Sequence, residues 1–181
     1  VLYERALQIA KAAALMTGTK YETKLISGIY EILVNRTGAE IMQENLETLG
    51  EITYSEDEIT YANTILKEAG KPQLGINGKV TPIQETLPAQ GGSTDVGDVS
   101  QVVPTIRMSA TVAADGGPWH SWAVVACTGM SIGHKGMIYA AKALSMTMAD
   151  LYKNPKLVEA VKADYKKNKM PEAYKPRILS G

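Results

Sequence analysis

Three short stretches of this sequence gather residue types that can do chemistry. The first is Gly91-Gly92-Ser93-Thr94-Asp95-Val96-Gly97-Asp98-Val99-Ser100, where three glycines free the backbone, hydroxyls sit beside them, and two carboxylates fall three residues apart. Such a loop can grip a substrate carboxylate or orient a metal ligand. It can equally be a Gly-rich turn in which Asp95 and Asp98 cap backbone amides. The second is Gly116-Gly117-Pro118-Trp119-His120-Ser121-Trp122, which sets one imidazole between two indoles. His120 is there a candidate metal ligand or general base, or a packed histidine between two core tryptophans. Alone it makes no metal site, because a catalytic zinc takes about three protein ligands and a bridged pair takes more. The third, Gly133-His134-Lys135-Gly136, opens a strong helical pattern whose exposed amides and Lys135 would attract an anion. The plain alternative there is a cap by Ser131 or Gly133 with His134 solvated. Ser121 beside His120 does not form a nucleophile and base pair, since no third orienting group is evident.

The elements that must position these residues follow from periodicity. Leu2, Ala6, Ile9, Ala10, Ala13 and Ala14 recur at three and four, predicting a helix that ends near Gly18. Residues 19–33 mix β-branched, aromatic and charged residues in partial alternation and predict a strand. Helical patterns return from Glu40 to Leu49, closing at Gly50, and from Ser55 to Ala69, where Ser55 with Glu58 forms a capping box. From Pro72 to about Gly92 the chain predicts a long loop of the kind that is often functional. Val102 to Val112 predicts a strand and Trp122 to Cys127 another, which makes Cys127 a buried small hydrophobe. Lys135 to Tyr152 predicts the strongest helix, and Pro155 to Lys169 a last one whose lysines suit its C-terminal dipole. The expected fold class is α/β, a sheet flanked by helices.

The chain has 181 residues, with 19 basic and 19 acidic side chains and a formal net charge of zero. Electrostatics thus gives no reason to expect nucleic acid or an anionic membrane as partner. No apolar run approaches the roughly 20 residues needed to span a bilayer, so a soluble protein is expected. A single cysteine leaves no disulfide framework and no cysteine-based zinc cluster, and points to the cytoplasm.

Taken together, GGSTDVGDVS (91–100), PWHSW (118–122), GHKGMIYAAKAL (133–144) and DLYKNPKLVEAVKADY (150–165) resemble the C-terminal part of the M20 metallopeptidase family. The branch resembled is that of amidohydrolases related to the aminobenzoyl-glutamate utilisation proteins. IAKAAALMTGTKYE (9–22) is similar to the last helix and strand of that family's small lid domain. The resemblance implies that residues 1–31 end a lid and dimerisation domain and that residues 32–181 form the second part of a catalytic domain. It implies two divalent metal ions, zinc or manganese, whose shared water attacks an amide with a glutamate as general base.

Carried onto this chain, the resemblance makes His120 the family's last metal ligand. It sets Asp95 beside the site, where it orients a metal ligand or positions substrate, with Ser93 and Thr94 as substrate contacts. The family's other metal-binding segment and its paired glutamates have no counterpart after Val1, and Glu56 and Glu58 are not that pair. The expectation is therefore a C-terminal portion of a larger enzyme that is inactive alone and requires an N-terminal part of the same protein, acts on a small amide or peptide, and forms a homo-oligomer. The rival expectation is a non-catalytic binding or assembly protein that keeps the fold without the metals.

Overall fold

A computed structural model describes residues 2–84 and 92–178. Seven helices occur among the described residues: α1 (Leu2–Thr17), α2 (Arg36–Leu49), α3 (Glu56–Glu68), α4 (Val96–Val102), α5 (Trp122–Thr128), α6 (Ser131–Lys153) and α7 (Pro155–Asn168). The helix boundaries follow local chemistry. Gly18, at φ 65°, ends α1, with the Thr19 amide donating to the Ala14 carbonyl at 2.9 Å. Asn35 caps α2 by accepting from the Gly38 amide, and Ser55 and Glu58 form the expected capping box on α3. Pro155 stands at the first position of α7, where its missing N–H costs nothing.

The expected α/β class is overturned, because no strand occurs among the described residues. A strand is defined by a ladder of backbone bonds to a neighbour, and the extended segments make other bonds instead. In the predicted strand 19–33, the Leu33 amide donates to Ser100 Oγ at 2.8 Å and the Glu31 carbonyl accepts from Gln101 Nε2 at 3.0 Å. Both partners are side chains of α4. Elsewhere, single bonds join Ile52 N–H to the Gly78 carbonyl and Asp115 N–H to the Gly75 carbonyl, each 2.9 Å, without a second rung. The predicted strand 102–112 begins as the end of α4 and continues as extended chain across α2 and α6. A Cβ on Gly38 would lie 2.5 Å from Ile106 Cγ1, and one on Gly136 would lie 2.1 Å from the Thr111 carbonyl.

The predicted strand Trp122–Cys127 is helix α5. Ser121 caps it by accepting from the Ala123 amide, and that cap with the burial of Ala123 and Cys127 outweighs the β preference of Val124 and Val125.

Two packed regions result. Ala62 and Leu66 of α3 meet Ala114, Cys127 and Ile132 in a buried cluster edged by Tyr54, Tyr61 and Ile76. The second joins α2, α6 and α7, where Asn45 Nδ2 donates to Thr147 Oγ1 at 3.2 Å and to Asp150 Oδ2 at 2.8 Å. Burying polar groups there is compensated because each finds a partner. Only Ala14 of α1 is buried. No helix among the described residues is long and apolar enough to cross a membrane.

Candidate functional site

The segment carrying His120 is held at both ends. Gly116, at φ 73°, approaches Leu74, and the Gly117 amide donates to the Ala114 carbonyl at 3.2 Å. Ser121 Oγ donates to the Pro118 carbonyl at 2.6 Å while capping α5. Between these anchors His120 adopts φ 55°, the one non-glycine residue with positive φ among the described residues. That region costs an L-residue roughly 1–2 kcal/mol, and such backbone is held only where its surroundings fix it. The imidazole is exposed, and so are both flanking indoles, Trp119 at 71% and Trp122 at 53%. Neither the apolar walls nor the packed core expected around His120 is present.

Ser93, Thr94 and Asp95 lie together at the N-terminus of α4; Gly91 of the same motif falls outside the described residues. Thr94 Oγ1 accepts from the Val96 amide at 3.3 Å, while the Asp95 side chain makes no capping bond and is exposed. The cap expected from Asp95 and Asp98 is thus made by Thr94. Asp98 instead accepts from the Tyr174 hydroxyl at 2.9 Å. That bond, with lesser help from burial and the nearby carboxylate charge, pushes the Tyr174 phenol above its ordinary value.

Helix α4 is fixed from behind. A Cβ on Gly97 would lie 1.9 Å from the Tyr30 carbonyl oxygen, so only glycine permits the approach. Tyr165 Oη donates to the Gln101 carbonyl at 2.8 Å. The Ser93–Asp95 turn is therefore seated on residues 30–33 and α7, and the His120 segment on residues 66–74. Among the described residues, no group of three or more His, Cys, Asp or Glu side chains is placed to hold a metal ion. His120 is at most one ligand of a larger set.

Lys135 is not free to meet an anion. Its Nζ donates to Glu58 Oε2 at 2.6 Å and to the Thr53 carbonyl at 3.0 Å, and Ser131 Oγ donates to Glu58 Oε1 at 2.6 Å. The two bonds to the carboxylate, that of Lys135 first, hold the Glu58 carboxyl down at about 2. Ser131 spends its hydroxyl on Glu58 rather than on a cap, and Met130 at the N-cap of α6 supplies none. Burial, then the Glu58 charge, pushes the Tyr54 phenol up. The sequence signalled half of this cluster through the capping box, but Glu58 and Lys135 are 77 residues apart and no local spacing reveals their pairing.

The chain is similar to two curated proteins. It is 30% identical to a subunit of the p-aminobenzoyl-glutamate hydrolase of Escherichia coli (strain K12), over 91% of this chain and 39% of that protein. To the Xaa-Arg dipeptidase of Mus musculus it is 28% identical, over 92% of this chain and 32% of that protein. No family model and no solved structure matches. The chain thus spans 39% and 32% of the lengths of these relatives, and its similarity to two enzymes named for hydrolysis supports a hydrolytic enzyme family.

Proposed function

We propose that this chain is part of a metal-dependent amidohydrolase or peptidase that cleaves N-acyl amino acids or amides like aminobenzoyl-glutamate. The observation that carries the reading is the similarity to two hydrolases over at least 91% of the chain. Their names share one chemistry, since the bond within p-aminobenzoyl-glutamate and the bond within a dipeptide are both amides.

The described residues do not by themselves fit a metal pair: His120 is exposed, and no three candidate ligands converge. In this reading His120 gives one ligand, and the remaining ligands and the general base come from polypeptide outside these residues, as in an N-terminal part of the same protein. When bound, two divalent ions, zinc or manganese, supply Lewis acidity and an acidified water. Ser93 and Thr94 offer hydroxyls to a polar substrate group. The exposed Asp95 carboxylate, free of any cap bond, positions an amide or ammonium donor.

The test is hydrolysis of N-acyl amino acids, dipeptides and p-aminobenzoyl-glutamate, with zinc or manganese, by the protein that contains this chain. Cleavage that His120→Ala abolishes, with reduced metal content, supports the reading. Full activity with unchanged metal in His120→Ala defeats it. Tight carboxylate binding with no hydrolysis at any metal concentration would favour a non-catalytic binding protein.

A further inference from the structure

Among the described residues, every hydrogen bond that residues 2–29 make stays within that stretch. The first that leaves it comes from Tyr30, whose hydroxyl donates to the Lys175 carbonyl at 3.0 Å. Polar attachment of α1 to the rest of the molecule therefore begins at residues 28–33.

Two elements grip that junction. One is α4, through the close approach of Gly97 to the Tyr30 carbonyl and the bonds from Leu33 to Ser100 and from Gln101 to Glu31. The other is the C-terminal segment. A Cβ on Gly28 would lie 2.8 Å from Arg177 Cβ and 3.6 Å from Ile178 Cγ1, so the two backbones pass with no room for a side chain at residue 28. The Arg177 guanidinium lies 4.2 Å from the centre of the Tyr30 ring, in cation–π contact. The Tyr174 ring stands 5.6 Å from the Tyr30 ring at 57°, and its hydroxyl donates to Asp98 Oδ1 of α4 at 2.9 Å.

We propose that residues 174–178 are a clasp that closes over residues 28–30 and α4 together and holds shut the junction through which α1 is attached. The inference goes beyond the hydrolase reading and does not depend on it. The segment touches both parts at once, about 145 residues along the chain from Tyr30. None of residues 174–178 is buried, and none belongs to the core cluster around Leu66 and Cys127. The clasp can therefore open while that core stays folded, as a local opening of low cost.

Hydrogen exchange read by mass spectrometry, on the protein that contains this chain, tests this. Tyr174→Phe with Arg177→Ala keeps the ring of residue 174 but removes the bond to Asp98 and the cation over Tyr30. Exchange in the peptide spanning residues 29–34, which carries the Leu33 amide, is expected to quicken about tenfold, the effect of losing one hydrogen bond to a charged group. Peptides of α2 and α6 should be unchanged, since the Thr37 amide is held by Asp164 of α7 and not by the clasp. Unchanged exchange in residues 29–34 overturns the proposal. Equal quickening in α2 and α6 overturns it too, because the segment would then be a general prop of the fold.

A converse variant keeps the proposal testable if that protein fails to fold. In Gly28→Cys with Arg177→Cys the two Cβ positions start about 1 Å inside the roughly 3.8 Å usual across a disulfide, so a small outward shift lets them bridge. Cys127 is buried and does not compete. The bridge is expected to form on oxidation and to slow exchange in residues 29–34 relative to the reduced form of the same variant. No bridge, or a bridge that leaves exchange as it is in the reduced form, overturns the proposal.

Discussion

Replacing Glu58 with Gln removes a charge while keeping the shape of the side chain. In the parent, both carboxylate oxygens are taken, by Lys135 and the Ser55 amide on one side and Ser131 on the other. The carboxyl titrates at about 2 instead of 4.5. A group held below its ordinary value stabilises the fold fully above the unfolded value, and that stability disappears as pH falls through the folded value. The window is therefore pH 4.5 down to about 2.

At about 1.36 kcal/mol per unit, the full shift corresponds to at most roughly 3 kcal/mol. Lys135 is 40% exposed, so solvent screens part of the interaction. A figure of roughly 1–2 kcal/mol is then expected at neutral pH. The assay is urea unfolding of parent and Glu58→Gln from pH 7 down to pH 2. The parent should be more stable by that amount at pH 7, with the gap closing between pH 4.5 and 2. A gap of the same size at pH 7 and pH 2 would assign the loss to packing and not to the Glu58 charge, because a charge-independent packing defect does not titrate.

Other expectations follow from single contacts. Gly97→Ala drives a methyl into the Tyr30 carbonyl, at 1.9 Å, and should cost roughly 2 kcal/mol or more, read as a lowered thermal midpoint. Asp98→Asn removes the charged acceptor of the Tyr174 hydroxyl and should lower the pH at which that phenol ionises, followed by NMR of ring-labelled tyrosine. His120→Gly relieves a positive φ of 55° and should raise stability by up to about 1 kcal/mol in chemical denaturation, even as it removes the candidate ligand.

Much of the helical frame was legible because its signals are local. Gly18 ends α1, Ser55 with Glu58 opens α3, Pro155 opens α7, and the helical pattern from Lys135 to Tyr152 falls within α6. The extended segments misled for the opposite reason. Alternation in 19–33 and 102–112 reports a preference for extended backbone, whereas a strand also needs a neighbour, and these segments bond to Ser100 and Gln101 or pack on α2 and α6 instead. In Trp122–Cys127, β-branched residues lost to a serine cap and to burial of one face.

For the candidate site, the residues of the Ser93–Asp95 turn could be named from sequence, but not that Thr94 would do the capping. His120 could be named as well. Its exposure and its left-handed backbone depend on the anchors at Gly116 and Ser121 and on contacts to Leu74 and Leu66, which no local spacing records. The Glu58–Lys135 pair and the Asp98–Tyr174 bond, 77 and 76 residues apart, have no sequence signal at all.

His120, as proposed, belongs to the metal-binding set of an amide-cleaving enzyme. The most direct measurement is metal content by mass spectrometry, on the protein that contains this chain, for parent and His120→Ala after equilibration with zinc or manganese. Two ions bound in the parent and loss of at least one in His120→Ala are expected. Equal metal content in both proteins would contradict it.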